Sequence, residues 1–151
     1  MKSLSTFLSI AILGISIMGS AQAQFVKLDP GKADQEQLAF AIRIATSYFE
    51  TLKSGKSFDF SKYASKEFSD QMTPELQRQA YEQLKSSFGE FKSLEYAETW
   101  TLEDPNTMFV IRMKGTFEGS QEPLEIRVVV NNSNKVMGLW LKPWVEDLNQ
   151  G

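Results

Sequence analysis

The chain has 151 residues with a net charge of −3 at neutral pH, and it contains neither His nor Cys. The absence of both residue types excludes His-based acid–base chemistry, Cys nucleophiles, disulfides and the usual zinc ligand sets. The acidic balance, with no basic cluster in the sequence, gives no indication of a nucleic-acid partner.

Residues 1–23 have the composition of a secretory signal peptide. Lys2 supplies a positive charge, an apolar run covers residues 7–18, and Ala21-Gln22-Ala23 has the small-x-small form of a cleavage site. The apolar run is short for a bilayer span, so cleavage after Ala23 is expected rather than retention as a membrane anchor. The mature chain would then be periplasmic or secreted, with no membrane contact after cleavage.

The first predicted helix follows a lead-in arm, residues 24–33. Asp34 has the position of a helix N-cap, and Gln37 three residues later matches a capping-box pattern. Apolar residues then recur at helical spacing up to Leu52, and Gly55 marks the end of the helix. The apolar arc is wide, which predicts contact with both a sheet and a second helix.

Two further helical segments are predicted before the strands. Residues 57–72 mix aromatic residues with Ser, Asp and Lys, a pattern that fits one or two short helical turns held by the aromatic side chains. Thr73 is a suitable N-cap, Pro74 is favoured at the first helical position, and Gly89 ends a stripe of apolar residues at four-residue steps. The helical structure is therefore expected to precede the sheet.

Residues 109–118 and 124–130 predict an antiparallel hairpin at the centre of the fold. Both segments alternate apolar and polar residues, which is typical of strands with one face on a core and the other in water. A register with Lys114 opposite Glu125 places the two apolar sets on the same face and pairs opposite charges. The same register predicts a two-residue type II′ turn at Gly119-Ser120.

One strand on either side of the hairpin completes the predicted sheet. Residues 91–102 place apolar side chains on one parity, except that Glu98 interrupts the set. Residues 136–141 are apolar on both parities, so this strand is either covered on both faces or meets a partner with one of them. Trp144 is expected to pack back on the domain, and residues 147–151 to form a solvated tail.

Together these elements predict an α+β domain with three N-terminal helical segments packed on one face of a four-stranded antiparallel meander sheet. The domain is expected to cover residues 34–144, and residues 145–151 to follow it as a tail. A turn at residues 103–106 would join the first strand to the hairpin.

Several short strings resemble those of a known family. They are Leu-Lys-Ser-Gly at 52–55, Thr-Pro-Glu-Leu at 73–76, Phe-Gly-Glu-Phe-Lys-Ser at 88–93 and Gly-Leu-Trp at 138–140. With the order of the elements, they resemble small exported bacterial domains of the nuclear-transport-factor-2-like superfamily, which has a cystatin-like cone. More narrowly, the chain resembles the group of unknown function that occurs alone or ahead of an α/β-hydrolase.

The resemblance implies a sheet curved around the first helix, with the helices on its concave face. It also implies that a pocket is often present at the open end of the cone and that members often form homodimers through the sheet. This chain carries no hydrolase segment, so no hydrolytic activity is implied. The resemblance says more about the fold than about the function.

Glu98 is the candidate for catalytic chemistry. If the alternation of its strand holds, its carboxylate lies on the concave side between Tyr96 and Trp100, where burial would raise its pKa toward a range useful for proton transfer. The resemblance implies acidic residues and tyrosines in the pockets of isomerases and dehydratases of the superfamily, and Tyr48, Tyr96 and Glu98 are the analogous set. The alternative is a bulge near Ala97 that turns Glu98 outward, or a hydrated position at the pocket rim.

Aromatic residues supply candidates for a pocket that takes a small apolar ligand. They are Tyr48, Phe58, Phe60, Tyr63, Tyr96, Trp100 and Trp140. The alternative is that these residues form the core. Arg112 and Arg127, opposite each other in the predicted register, either accept an acidic partner or belong to an exposed polar face.

The sequence thus favours a non-catalytic exported domain that binds a small apolar ligand or an envelope protein, with no cofactor and no metal. One alternative is an isomerase-like or dehydratase-like enzyme that uses Glu98 as proton carrier. The other is a structural dimerisation module, suggested by the two-sided apolar character of residues 136–141.

Overall fold

The computed structural model describes residues 24–102 and 108–150. The predicted signal peptide and the predicted turn at residues 103–106 lie outside the described residues. In chain order the helices and strands are β1 (Phe25–Lys27), α1 (Gln35–Lys53), α2 (Lys66–Gln71), α3 (Pro74–Phe88), β2 (Phe91–Leu102), β3 (Met108–Phe117), β4 (Leu124–Asn131) and β5 (Val136–Pro143). Short 3₁₀ turns occupy Pro30–Lys32 and Leu148–Gln150.

The five strands form one antiparallel sheet in the order β1-β2-β3-β4-β5. The predicted α+β class and the meander are confirmed, but the sheet has five strands and not four. The additional strand, β1, lies in the predicted lead-in arm and pairs with the end of β2, where Phe25 is opposite Leu102. Its three residues are too few to show an alternation in the sequence.

Local sequence signals set the ends of α1. The Asp34 carboxylate accepts hydrogen bonds from the backbone N–H groups of Glu36 and Gln37, so the predicted N-cap is confirmed. The Gln37 side chain does not return to the cap; it donates to the backbone carbonyl of Asn131 at 3.3 Å. After the helix, Gly55 has a φ of +83°, a left-handed conformation that favours glycine.

The predicted start and end of α3 are also confirmed. Pro74 occupies the start of the helix, and the Thr73 hydroxyl accepts from the Leu76 N–H at 3.2 Å. Gly89 follows the helix with a φ of +78°, and a Cβ there would lie 2.6 Å from the Gly119 backbone nitrogen. The exit from α3 therefore requires glycine for two reasons, its backbone conformation and the close approach of the loop after β3.

One face of the sheet, here called the inner face, is covered by α1, which contacts β2, β3 and β4. Its strand residues are buried with aromatic side chains of the helices and of the segment between α1 and α2. Phe49 of α1 stacks on Phe91 of β2 with ring centroids 5.0 Å apart. The buried strand residues of this face include Ile111, Met113, Ile126, Val128, Leu139 and Leu141.

The opposite face, here called the outer face, was expected to meet water, but part of it is covered. A second apolar cluster covers part of it, formed by Trp100, Val110, Val129 and Leu148. Leu148 is only 3% exposed, so the expectation of a solvated tail is wrong for this residue. The segment after β5, residues 144–150, is thus part of the packed structure.

The first described strand, β1, contacts the segment after β5 through Phe25 and Asn149. The Asn149 side-chain oxygen accepts from the Phe25 N–H at 2.8 Å, and its amide nitrogen donates to the Phe25 carbonyl at 3.0 Å. The side chain of Asn149 therefore satisfies both backbone groups of a residue in the edge strand β1, which limits the pairing capacity of that edge.

The predicted register of the central hairpin is confirmed, but its turn is not. Lys114 lies opposite Glu125, as the alternation predicts. Pairing stops at Gly115 opposite Leu124, and Gly119 lacks the positive φ that a type II′ turn requires. Instead, the Gly119 N–H donates to the Phe88 carbonyl at 2.8 Å, so the chain after β3 follows the end of α3 before it turns back.

The inner face of β5 is buried within the chain and its outer face is partly covered, which favours the first of the two predicted alternatives. Leu139 and Leu141 belong to the inner core, while Met137 and Trp140 pack against the outer cluster. A register shift next to Val129 and Val130 brings Gly138 and Trp140 to the outer face. The apolar character of this strand therefore needs no partner chain.

Candidate functional site

A β-bulge decides the position of Glu98. Tyr96 is opposite Met113, and Glu98 is opposite Arg112, so Ala97 is an extra residue on β2. A bulge reverses the parity of the residues that follow it. The predicted position of Glu98 on the inner face, between Tyr96 and Trp100, is therefore wrong, and the alternative of a bulge near Ala97 is confirmed. The same shift moves Trp100 to the outer cluster.

Glu98 lies in an ion-pair network on the outer face. Its carboxylate bonds to Arg112 Nη1 and to Lys27 Nζ, the latter at 2.5 Å. Burial by itself would raise the pKa of Glu98, but hydrogen bonding from Lys27 and the charges of Arg112 and Lys27 outweigh burial and lower it. The indole N–H of Trp100 lies near this carboxylate and also lowers its pKa. This N–H has no hydrogen-bond partner among the described residues.

The three residues proposed for proton transfer are not arranged as a site. A carboxylate with a lowered pKa that is held by two cations is a weak proton acceptor. Tyr96 packs against the core of the other face, and its hydroxyl lies 2.9 Å from the Thr99 hydroxyl. Tyr48 is fully buried, and burial raises the pKa of its hydroxyl, which has no hydrogen-bond partner among the described residues.

The predicted pocket aromatics separate into two groups. Tyr48, Phe58, Phe60 and Tyr63 lie together on the helical side, with ring centroids 4.8 Å apart for Phe58 and Phe60 and 5.4 Å apart for Tyr48 and Phe60. They pack on one another as core side chains do. Tyr96 packs against the same core from β2, whereas Trp100 and Trp140 belong to the outer cluster. The seven candidates therefore do not line one cavity.

Arg112 and Glu125 are fully buried, which corrects the interpretation of an exposed polar face. Arg112 Nε bonds to Glu125 Oε1 at 2.5 Å, Nη2 donates to the Val145 carbonyl, and the guanidinium lies 4.0 Å from the ring centroid of Trp144. Glu125 also binds Arg127 at 3.1 Å. Since the buried charges are matched within the chain, this network is suited to holding the C-terminal segment rather than to accepting a partner.

A groove opens on the helical side, where α1 ends and α3 passes it. Its volume is about 390 Å³. The lining residues come from the end of α1, the following loop and one face of α3: Leu52, Lys53, Gly55, Lys56, Ser57, Pro74, Arg78, Tyr81, Glu82 and Lys85. The sequence analysis did not identify this groove, because its residues come from separate segments with no shared motif.

Gln77 fixes the shape of this groove. It is 1% exposed, and its side-chain oxygen accepts from the Phe58 N–H at 2.8 Å. Its amide nitrogen donates to the Phe58 carbonyl at 2.9 Å and to the Met72 carbonyl at 2.8 Å. These bonds tie the loop after α1 to the first turn of α3, so the loop is held at a defined distance from the helix.

The groove is cationic, although the chain as a whole is acidic. Four Lys or Arg residues line it against a single carboxylate, Glu82. Lys85 pairs with Glu90 at 3.2 Å. Lys53, Lys56 and Arg78 have no ion pair among the described residues.

The hydroxyl of Tyr81, in the groove lining, has a pKa that burial raises. The residue is 7% exposed, and its hydroxyl has no hydrogen-bond partner among the described residues. Burial, followed by the charges of Glu90, Glu50 and other carboxylates, raises the pKa of the hydroxyl. It therefore stays protonated at neutral pH.

The groove combines apolar walls with four cationic side chains, the phenol of Tyr81 and a single carboxylate, Glu82. Across residues 24–102 and 108–150, no group of three Asp or Glu residues is placed to hold a metal ion. In the same part of the chain, no helix has the length and apolar character needed to cross a bilayer.

Comparison with known proteins identifies no relative from which a function could be transferred. The chain matches no protein-family model, no curated protein and no solved structure.

Proposed function

We propose that this protein is a non-catalytic binding domain and that a small molecule occupies the groove between α1 and α3. The observation that carries the proposal is the groove itself, about 390 Å³ in volume and lined by both apolar and charged side chains. Small-molecule sites in proteins typically have volumes of about 300–1,000 Å³ and combine apolar walls with a few polar groups. The groove lies at the lower end of that range, which favours a compact ligand.

A small molecule is favoured over a protein partner by the surface of the domain. Val26 is the only large apolar residue classed as exposed among the described residues. Protein-binding surfaces commonly present a larger apolar patch. The burial of Leu139 and Leu141 and the partial burial of Met137 and Trp140 within the chain weigh against a dimer through β5.

The proposal includes export and a family assignment. The composition of residues 1–23 supports cleavage after Ala23 and a periplasmic or secreted location. The short strings shared with nuclear-transport-factor-2-like domains support membership of that superfamily, with the sheet curved so that the helices lie on its concave face. The five-stranded antiparallel sheet behind three helices is compatible with such a cone.

The proposal is tested by blocking the groove. A library of small fragments is screened against the mature chain by backbone-amide NMR, and binders are expected to shift the amides of residues 52–57 and 74–85. Ser57→Trp places a large ring in the groove and should abolish these shifts. Ser86→Trp is the matched control, because Ser86 is exposed on α3 outside the groove lining. Fragments that never move these amides, or that bind Ser57→Trp equally well, would refute the proposal.

A further inference from the structure

We infer that Lys142 is a nucleophilic amine that captures small aldehydes as an imine. Lys142 lies near the end of β5, directly opposite Glu125 of β4, and is therefore on the outer face of the sheet. The groove between α1 and α3 lies on the helical side, so the two sites are separate. This inference goes beyond the proposed function and does not depend on it.

The register of the sheet places Lys142 beside a carboxylate that already has two partners. A lysine directly opposite a glutamate normally forms a cross-strand ion pair. Here Glu125 Oε1 accepts from Arg112 Nε at 2.5 Å and from Arg127 Nε at 3.1 Å, and Oε2 accepts from Arg127 Nη2 at 3.1 Å. Lys142 has no ion pair among the described residues, so the two arginines take its place at Glu125.

Two guanidinium groups and one carboxylate act on Lys142. Arg127 lies on β4 and Arg112 on β3, and both bind Glu125. Arg112 also binds Glu98, but that carboxylate is two strands farther from β5 than Glu125. Burial, followed by the charge of Arg127, lowers the pKa of the Lys142 amine, and Glu125 offsets this only in part. At a given pH, more of this amine is therefore neutral than of an exposed lysine.

Two further charged groups close to Lys142 in sequence or in register do not supply a counter-ion. The carboxylate of Glu146 accepts from the Trp144 indole N–H at 3.0 Å and forms no ion pair within the described part of the chain. Lys114, which lies opposite Glu125 on β3, is itself a cation and is 4.8 Å from the ring centroid of Trp144. Lys142 is half-buried, so part of its side chain is open to a small reagent.

The reaction expected at Lys142 is imine formation. The neutral amine attacks the carbonyl carbon of the aldehyde and a C–N bond forms. The carbonyl oxygen then leaves as water with the two hydrogens of the amine, so the step needs no oxidant or reductant. A protonated amine has no lone pair and does not attack, which makes the neutral fraction of the amine decisive. Lysines beside other cationic groups act as nucleophiles in proteins for this reason.

The test is reductive alkylation of the mature chain with a limiting amount of acetaldehyde and cyanoborohydride, which converts the imine into a stable secondary amine. Mass spectrometry of peptides gives the labelling rate of each lysine. At neutral pH, Lys142 should react at least about threefold faster than Lys92, an exposed lysine of β2 without an ion pair among the described residues. The ratio should fall as the pH rises above about 10, where both amines become neutral. A difference in accessibility alone would not change with pH.

Variants at Arg127 assign the effect to charge. Arg127→Gln removes one cation and releases Oε2 of Glu125, so Lys142 gains a counter-ion and its rate should fall to within about twofold of the Lys92 rate. Arg127→Lys keeps the charge and should keep the fast rate. Ser57→Trp, which blocks the groove, should leave the rate of Lys142 unchanged.

The outcomes decide this inference without reference to the groove. Equal labelling of Lys142 and Lys92 at neutral pH, a ratio that stays constant with pH, or a fast rate that survives Arg127→Gln would each overturn it. The pH dependence of the wild-type chain remains a full test even where the Arg127→Gln variant is unstable. The proposed function is decided separately, by the fragment screen with Ser57→Trp.

Discussion

Arg112 and Glu125 form an ion pair across neighbouring strands with both side chains fully buried, and the Nε–Oε1 distance is 2.5 Å. The residue directly opposite Glu125 is Lys114, which instead lies 4.8 Å from the ring centroid of Trp144. Arg112 therefore pairs with Glu125 diagonally across the two strands. Its guanidinium binds the carboxylates of Glu125 and Glu98 and the carbonyl of Val145.

Removing one partner of this pair should be strongly destabilising. Arg112→Met leaves Glu125 buried beside Arg127 alone, and we expect a loss of about 3–5 kcal/mol in the free energy of unfolding. The double variant Arg112→Met with Glu125→Leu should recover a large part of the loss, because the two fully buried charges are then removed together. Urea unfolding of both variants measures the difference, and equal stability of the two would contradict this account.

The ion pairs of Glu98 should make stability depend on pH in the acidic range. Because the folded-state pKa of Glu98 is lowered, the unfolded chain binds more protons there, and stability is lost as the pH falls through the folded-state value. Glu98→Gln should be less stable than the wild type at neutral pH, and the difference should shrink on acidification. The measurement is urea unfolding from neutral to acidic pH. Glu95→Gln, at an exposed position of the same strand, serves as the control.

Gln77 should be important for stability although it is an uncharged polar residue on a helix. Gln77→Met keeps the side-chain length but leaves the backbone groups of Phe58 and Met72 without their hydrogen bonds. We expect a loss of about 2 kcal/mol or more. Gln79→Met, exposed on the same helix, should change stability by less than about 0.5 kcal/mol. Thermal or urea unfolding that shows equal effects would refute the role of Gln77 as a clamp.

The C-terminal segment should contribute to stability through Leu148. Leu148→Ala removes a side chain that is 3% exposed, and we expect a loss of about 2–3 kcal/mol, toward the lower end for core truncations because the outer cluster is small. Gln150→Ala, exposed two residues later, is the control. Hydrogen exchange should also show faster exchange at Phe25 in the Leu148→Ala variant. Unchanged unfolding of Leu148→Ala would mean that the segment is only loosely attached.

The elements that depend on local signals were predictable from the sequence. Asp34 and Thr73 cap their helices because their short polar side chains reach the N–H groups two or three residues on. The alternation of residues 109–118 and 124–130 determined the register, since a shift by one residue would place the two apolar sets on opposite faces of the sheet.

The features that depend on distant segments were not predictable in the same way. The extra residue at Ala97 places Glu98 on the opposite face of the sheet, and no single residue type is diagnostic of a bulge. Polar residues such as Arg112 seemed exposed because the alternation does not show that residues 144–150 return to cover them. The groove was missed for a similar reason, since Lys53 and Arg78 become neighbours only when α3 folds back past α1.

The contact between Asn149 and Phe25 joins residues that are 124 positions apart in the chain. Asn149 is synthesised 124 residues after Phe25, so this contact can form only after all the strands between them have been made. Contacts over such long separations slow folding, because the entropy of a large loop is lost before the contact forms. The outer layer is therefore expected to be the last part of the protein to assemble and the first to open.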